Sequence, residues 1–238
     1  MKKFLKRLLG VLHISVTRNQ RYDDYTRTIL RKTLKPDSNC VDIGCHKGEI
    51  LDLMIKGAPR GKKIGFEPIP ELFQFLVSKY LEDPNVTISQ VALYDTTGTT
   101  TFQHVLNAPA YSGIKKRKYD GKHVKIDQIS VETGLLDDII PTDVFIDLVK
   151  IDVEGAELDV LKGARECLRT ERPFVLLEWN AQNLAAYGCP LASLLHFARE
   201  HGFKVLSIPR LCEVPTESEL SLHMAFTESF LLCPVEVS

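Results

Sequence analysis

Apolar residues in this chain gather in short continuous runs. Seven stand out, at 40–44, 63–67, 86–91, 148–152, 174–178, 204–208 and 225–232. Several show no alternation, which fits strands buried on both faces of a parallel sheet. Between them the apolar period changes to that of a helix. Residues 49–56 form one such segment. In 70–81, Leu72, Phe73, Leu76 and Tyr80 recur at helical spacing, and 156–169 places Leu158, Leu161 and Leu168 on one face. The segment 191–201 precedes Gly202, a suitable C-cap. Residues 21–34 alternate charged and apolar positions at helical spacing, and Lys35-Pro36-Asp37-Ser38-Asn39 ends them.

Strand–helix alternation of this kind predicts βαβ units with right-handed crossovers. The expected fold is α/β, a doubly wound, mostly parallel sheet of seven strands. Its C-terminal edge is expected to be antiparallel, with Glu213-Val214-Pro215 pairing with 225–232. Residues 1–35 are expected to be a helical segment packed on the core of one domain spanning 36–238. The rhythm breaks between 93 and 123. There 93–104 reads as a hairpin that turns at Asp95-Thr96-Thr97-Gly98. Residues 105–123 hold Pro109, Gly113, Gly121 and the run Lys115-Lys116-Arg117-Lys118, which predicts a loop acting as a lid over a site.

Composition narrows the class. The 238 residues are 44% hydrophobic and 26% charged, with a formal net charge of −1, so the chain as a whole is not drawn to nucleic acid or anionic membranes. Aromatic residues are only 8%, which also argues against an RNA-stacking surface. The six cysteines include no CxxC pair, which disfavours a zinc site of the usual spacing. Reduced, structural cysteines imply a reducing, cytoplasmic location. Phe4, Leu5, Leu8, Leu9 and Leu12 share a helical face opposite Lys2, Lys3 and Arg7. That stretch is too short to span a bilayer. It reads as a packed N-terminal helix or, at most, as a weak peripheral membrane contact through residues 1–12.

The chemistry centres on Val41-Asp42-Ile43-Gly44-Cys45-His46-Lys47-Gly48-Glu49. An apolar strand ends in glycines and a helix starts at once. This places a ligand crevice at the carboxyl end of a strand, against a helix N-terminus. A dinucleotide fold would want G-x-G-x-x-G, but here the pattern is D-x-G-x-x-x-G. S-adenosylmethionine (SAM) is a cation with an amino group, so an acid such as Asp42 beside its methionine end makes electrostatic sense. A second strand ends Lys63-Ile64-Gly65-Phe66-Glu67-Pro68, with its acid 25 residues after Asp42. A carboxylate there can accept hydrogen bonds from two ribose hydroxyls. Each motif alone is compatible with an ordinary turn or a solvated carboxylate. Together, in order and spacing, they predict SAM.

These residues resemble the FkbM family of SAM-dependent methyltransferases. The likeness covers about 36–180 and rests on the two motifs above, on Val91-Ala92-Leu93-Tyr94-Asp95, on Leu136-Asp137-Asp138, and most specifically on Val149-Lys150-Ile151-Asp152-Val153-Glu154-Gly155-Ala156-Glu157. It implies a class I methyltransferase sheet and O-methylation of a hydroxyl on a sugar, glycan or small natural product. Cys45-His46-Lys47 departs from the Ala-Asn pair common at that place in the family. The cofactor set expected on this reading is Asp42, Gly44, Cys45, His46, Lys47, Gly48, Glu67, Pro68, Gln90, Val91, Ala92 and Asp152, with Gln90, Val91 and Ala92 beside the adenine.

Methylating an alcohol requires alignment and removal of its proton. Asp152, Glu154 and Glu178 are the catalytic candidates, crowded at one rim of the sheet. Crowding there can raise a carboxyl toward a useful base or bind a divalent cation. No metal site is predicted, although a metal-assisted reaction stays open. Acids in a first helical turn also serve simply to complement the helix dipole, which suits Glu154 and Glu157. His46, His104 and His123 read as surface residues. Lys115-Lys116-Arg117-Lys118 is either a solvated face or an attractor for a phosphorylated acceptor. Trp179 and Asn180 are candidates for sugar contact, and Trp179 equally for packing. The alternatives carried forward are a SAM-binding interaction module without catalysis, a protein or RNA methyltransferase, and a nicotinamide oxidoreductase.

Overall fold

The computed structural model describes residues 18–119 and 123–235, so the amphipathic stretch 1–12 lies outside it. Helix Arg18–Thr33 leads into β1 (Cys40–Ile43), β2 (Lys63–Phe66) and β3 (Val86–Ser89). Then come β4 (Ala92–Leu93), β5 (Gly98–Val105) and β6 (Ile126–Gly134). The chain goes on to β7 (Leu148–Ile151), β8 (Phe174–Glu178), β9 (Phe203–Ser207), β10 (Cys212–Glu213) and β11 (Ser229–Pro234). The main sheet runs β10-β9-β11-β8-β7-β1-β2-β3. Strands β1, β2, β3, β7 and β8 pair in parallel, and β11 runs antiparallel between β8 and β9.

This is the predicted doubly wound architecture with an antiparallel strand near its edge. An eighth strand, the two-residue β10, pairs with β9. The expected pairing of Glu213-Val214-Pro215 with the last strand does not form. β11 lies between β8 and β9 instead, and it starts only at Ser229, after a helix the apolar pattern had hidden, Glu217–Met224.

The continuous apolar runs have a direct cause. Val41, Ile43, Val149, Ile151, Val175 and Leu177 point into one core beneath helices Glu157–Lys162 and Ser193–Glu200. Cys40 and Leu148 point the other way, against Leu30, Leu51, Met54 and Leu76 from three helices. Both faces of the sheet are covered, so strand residues of either parity are apolar. No described helix is long and apolar enough to cross a membrane.

The departure at 93–134 is a second sheet ordered β4-β6-β5. The short hairpin expected at 93–104 is replaced by a longer one. β5 pairs antiparallel with β6 from Gly98–Thr133 to Val105–Ile126, and β4 pairs with β6 rather than β5. The loop that joins β5 to β6 therefore starts and ends at one point. Ile69, Leu72, Ala92, Phe102 and Val131 seat this small sheet against the start of helix Pro70–Lys79.

Candidate active site

A narrow cleft opens at the carboxyl ends of β1 and β2. Its walls include Gly44, His46, Glu67, Pro68, Val91, Ala92, Phe102 and Asp152, and it holds about 590 Å³ of empty space, its open mouth included. Gly44 has φ +81, and a Cβ there would lie 2.0 Å from the carbonyl oxygen of Asp152. Only glycine fits this turn without displacing β7. Glu67 projects into the cleft while its oxygens accept from the backbone N–H groups of His46 (2.8 Å) and Ile69 (3.0 Å). Burial pushes its carboxyl up to about 7 against those two bonds. Each oxygen retains a lone pair for a further donor.

Below the cleft lies a charged pair set by strand register. Asp42 and Lys150 are direct partners across β1 and β7. Asp42 is wholly buried, with its Oδ1 3.2 Å from Lys150 Nζ, and neither of its oxygens receives a well-directed hydrogen bond. Lys150 also donates to the carbonyl of Gly44 (3.2 Å) and lies 3.7 Å from Asp152. Burial drives Asp42 above the ordinary carboxylate range, and Lys150 opposes it. Burial works equally against the charge on Lys150, but Asp42 and Asp152 outweigh it and hold the ammonium protonated.

A second, larger cavity adjoins the first and shares Ala110, Asp152 and Glu154 with it. Its walls add Arg117, Tyr119, Glu178, Asn180, Asn183 and Glu228. Asp152, Glu154 and Glu178 each offer an oxygen within 4.8 Å of the others, a spacing at which a cation fits. One is already present in the chain itself. The buried guanidinium of Arg117 pairs with Glu154 and donates to Asn183 Oδ1 and to the carbonyl of Tyr111. Asn183 in turn donates to Glu154 (2.8 Å) and, more weakly, to Glu178 (3.4 Å). Burial and then Asp152 push Glu154 up to about 8, opposed by Arg117. Burial and then the surrounding acids Asp152, Glu154, Glu157 and Glu228 drive Glu178 well above the usual range. The rim is a carboxylate cluster with Arg117 ion-paired to Glu154.

Local geometry explains how the turn carries these acids. Glu154 has φ +61 and Gly155 φ +112. A Cβ on Gly155 would lie 2.6–2.7 Å from the Asn183 carbonyl and the Tyr187 ring. Glu157 closes the turn by accepting from the N–H groups of Val153 (3.2 Å) and Gly155 (3.0 Å).

Of the predicted cofactor residues, Gly44, His46, Glu67, Pro68, Val91, Ala92 and Asp152 line the cleft. Asp42, Cys45, Lys47, Gly48 and Gln90 stand behind or beside it. Cys45 is buried, with its thiol toward the Asp42 carbonyl (3.1 Å), and Gly48 starts helix Glu49–Gly57. The carbonyl of Lys47 accepts from Lys79 (3.0 Å), and Gln90 is exposed. The three catalytic candidates converge on the larger cavity. Trp179 is fully buried and donates to the Leu191 carbonyl (2.9 Å), so it packs rather than contacting a sugar. Asn180 caps helix Ala181–Tyr187 while lining the cavity. His104, read as a surface residue, is buried on β5. The sequence reading missed Arg117, hidden in a basic run, and Asn183, which belongs to no motif.

A family model described as the methyltransferase FkbM domain matches residues 42–205. The chain is 31% identical over 182 residues to the 2-O-methyltransferase NoeI of Sinorhizobium fredii (strain NBRC 101917 / NGR234), covering 71% of this chain and 74% of NoeI. It is 31% identical over 158 residues to the methyltransferase sdnD of Sordaria araneosa, covering 53% of this chain and 60% of sdnD. A solved methyltransferase FkbM from Methylobacillus flagellatus KT shares the fold, with a TM-score of 0.51 at 18% identity over 84% of this chain and 45% of that one. Because the family match takes in both strand-end motifs and the acid-bearing turn after β7, the chain belongs to the FkbM methyltransferase family and is a methyltransferase.

Proposed function

We propose that this methyltransferase binds SAM in the narrow cleft and transfers its methyl group to a hydroxyl oxygen of a sugar, glycan or small natural product in the larger cavity. The observation that carries this reading is the junction of an apolar cleft and a carboxylate-lined cavity at Asp152 and Glu154. The cleft fits the cofactor: Ile69, Val91, Leu93 and Phe102 offer apolar walls for a purine, and Glu67 offers acceptors for ribose hydroxyls. When bound, SAM supplies an electrophilic methyl carbon, and its chemistry needs no redox partner.

The chain's own task is to align and deprotonate the acceptor. Asp152 lies on the shared wall of both cavities and is the exposed member of the acid trio, so it is placed to take the hydroxyl proton. Lys150 holds Asp152 and the Gly44 carbonyl together, which keeps the two half-sites in register. Asn180, whose amide nitrogen has a second N–H beyond its bond to Glu228, lines the cavity for a further acceptor hydroxyl. The name of NoeI, a 2-O-methyltransferase, supports oxygen as the atom methylated. The acid-rich inner wall disfavours RNA. The reading takes residues 36–238 as the methyltransferase domain, with Ile29 and Leu30 of the preceding helix packed into its core.

Calorimetry with SAM, S-adenosylhomocysteine (SAH) and NAD tests the cofactor, on the wild type and on Glu67→Ala. Binding of SAM and SAH but not NAD, weakened in the variant, is expected. Folded wild-type protein that binds neither SAM nor SAH would sink the reading. An acceptor screen with and without EDTA then tests whether a divalent metal takes part.

A further inference from the structure

We infer that Arg117 is a positioning residue for methyl transfer: carried in by the loop between β5 and β6, its guanidinium fixes Glu154 and Asn183 so that the acid rim presents one defined geometry to the acceptor. The inference rests on the proposed reading of the larger cavity as the acceptor site.

Three observations support it. Arg117 sits among lysines, yet its side chain is only 4% exposed while Lys115, Lys116 and Lys118 remain at the surface. Burying a guanidinium is costly unless it is paired, and Arg117 is paired three ways, to a carboxylate, an amide oxygen and a backbone carbonyl. The loop is docked at both sides of this residue. Lys115 donates its N–H to the Tyr187 hydroxyl (3.2 Å) and lays its ammonium over that ring at 4.9 Å, and the Lys118 carbonyl accepts from Gln182 (3.2 Å). All these partners lie on helix Ala181–Tyr187, which follows β8 and its Glu178. Among the described residues of this loop, Arg117 makes the ion pair with the acid rim. Arg117 is the cation that pairs with Glu154, which otherwise faces Asp152, Glu157 and Glu178. A flexible lysine could not reproduce the planar fork that meets carboxylate and amide together.

The test follows the carboxyl of Glu154 directly by side-chain ¹³C NMR of the full chain. Loss of its signal in Glu154→Gln assigns it. Arg117→Met keeps the packed stem and removes the charge. Its Glu154 midpoint is expected to rise by about one to three pH units, and Arg117→Lys to return part of that shift. Affinity for SAH, measured in parallel, should not change, because Arg117 lies outside the cofactor cleft. An unmoved Glu154 midpoint in Arg117→Met overturns the inference. If that variant does not fold, Arg117→Gln decides by the same criterion. Absence of SAH binding in the wild type would instead overturn the cofactor reading and leave the titration to judge Arg117 alone.

Discussion

Replacing Lys150 by methionine isolates the buried pair beneath the cleft. The substitution keeps most of the side-chain volume but strands Asp42, which is 0% exposed. At the observed 3.2 Å, an effective dielectric near 20 gives roughly 5 kcal/mol of attraction between the two charges. Desolvation offsets part of that in the intact pair. Removing one partner leaves the other uncompensated, and the expected net loss is about 3–5 kcal/mol at neutral pH. Asp42 already stands above the ordinary carboxylate range, and without Lys150 it rises further. The folded state then binds a proton that the unfolded state releases above about pH 4. Stability of the variant must therefore fall as pH rises from there, and the deficit must be smaller at pH 5 than at pH 8. Urea unfolding followed by fluorescence of Trp179, the single tryptophan, measures this at each pH. The pair Asp42→Asn with Lys150→Met should recover part of the loss. A deficit below about 1 kcal/mol, or one that does not change with pH, would refute the reasoning, since surface pairs behave that way.

Glu67→Gln should weaken SAH binding by roughly 10- to 100-fold, the worth of charge-assisted hydrogen bonds, as read by calorimetry. Because burial holds the Glu67 carboxyl near 7, wild-type SAH affinity should fall as pH drops through that value. Asp137→Ala should cost about 1–2 kcal/mol in thermal unfolding while leaving SAH affinity unchanged, because the Asp137 carboxylate accepts from Glu166 and Cys167 N–H groups (both 2.9 Å) and acts as an N-cap. Gly155→Ala should lower stability by at least about 1 kcal/mol by circular dichroism, given the contact with Tyr187 and the positive φ.

Residues whose positions depend on local backbone were legible in the sequence. Gly44 and Glu67 could be placed because strand ends and helix starts follow from short-range patterns, and the apolar runs located their strands to within a few residues. The turn after β7 was legible as a cluster of acids, though not as a paired one. What escaped depended on distant partners. β6 has a half-exposed, mixed sequence, and it pairs with β5 across a loop of some twenty residues. The segment 156–169 reads as one helix, but it breaks near Gly163, where a Cβ would lie 2.1 Å from the Tyr94 carbonyl. Asp137 stands in the family-like Leu136-Asp137-Asp138 stretch, yet its partners lie some thirty residues downstream. Arg117 looks like its lysine neighbours until the fold brings Glu154 and Asn183 to it.

The hairpin of β5 and β6 has a further consequence for how this enzyme can diversify. Its two ends are held by eight residue pairs, from Gly98–Thr133 to Val105–Ile126, outside the main sheet. Lengthening the connecting loop costs little entropy, on the order of 0.6 kcal/mol for each doubling. The cleft residues Gly44, Glu67 and Asp152 sit at the ends of β1, β2 and β7, whose parallel register leaves no room for such a change. On the proposed reading of the two cavities, insertion and deletion at this one address would change the range of molecules methylated and leave the cofactor residues as they are.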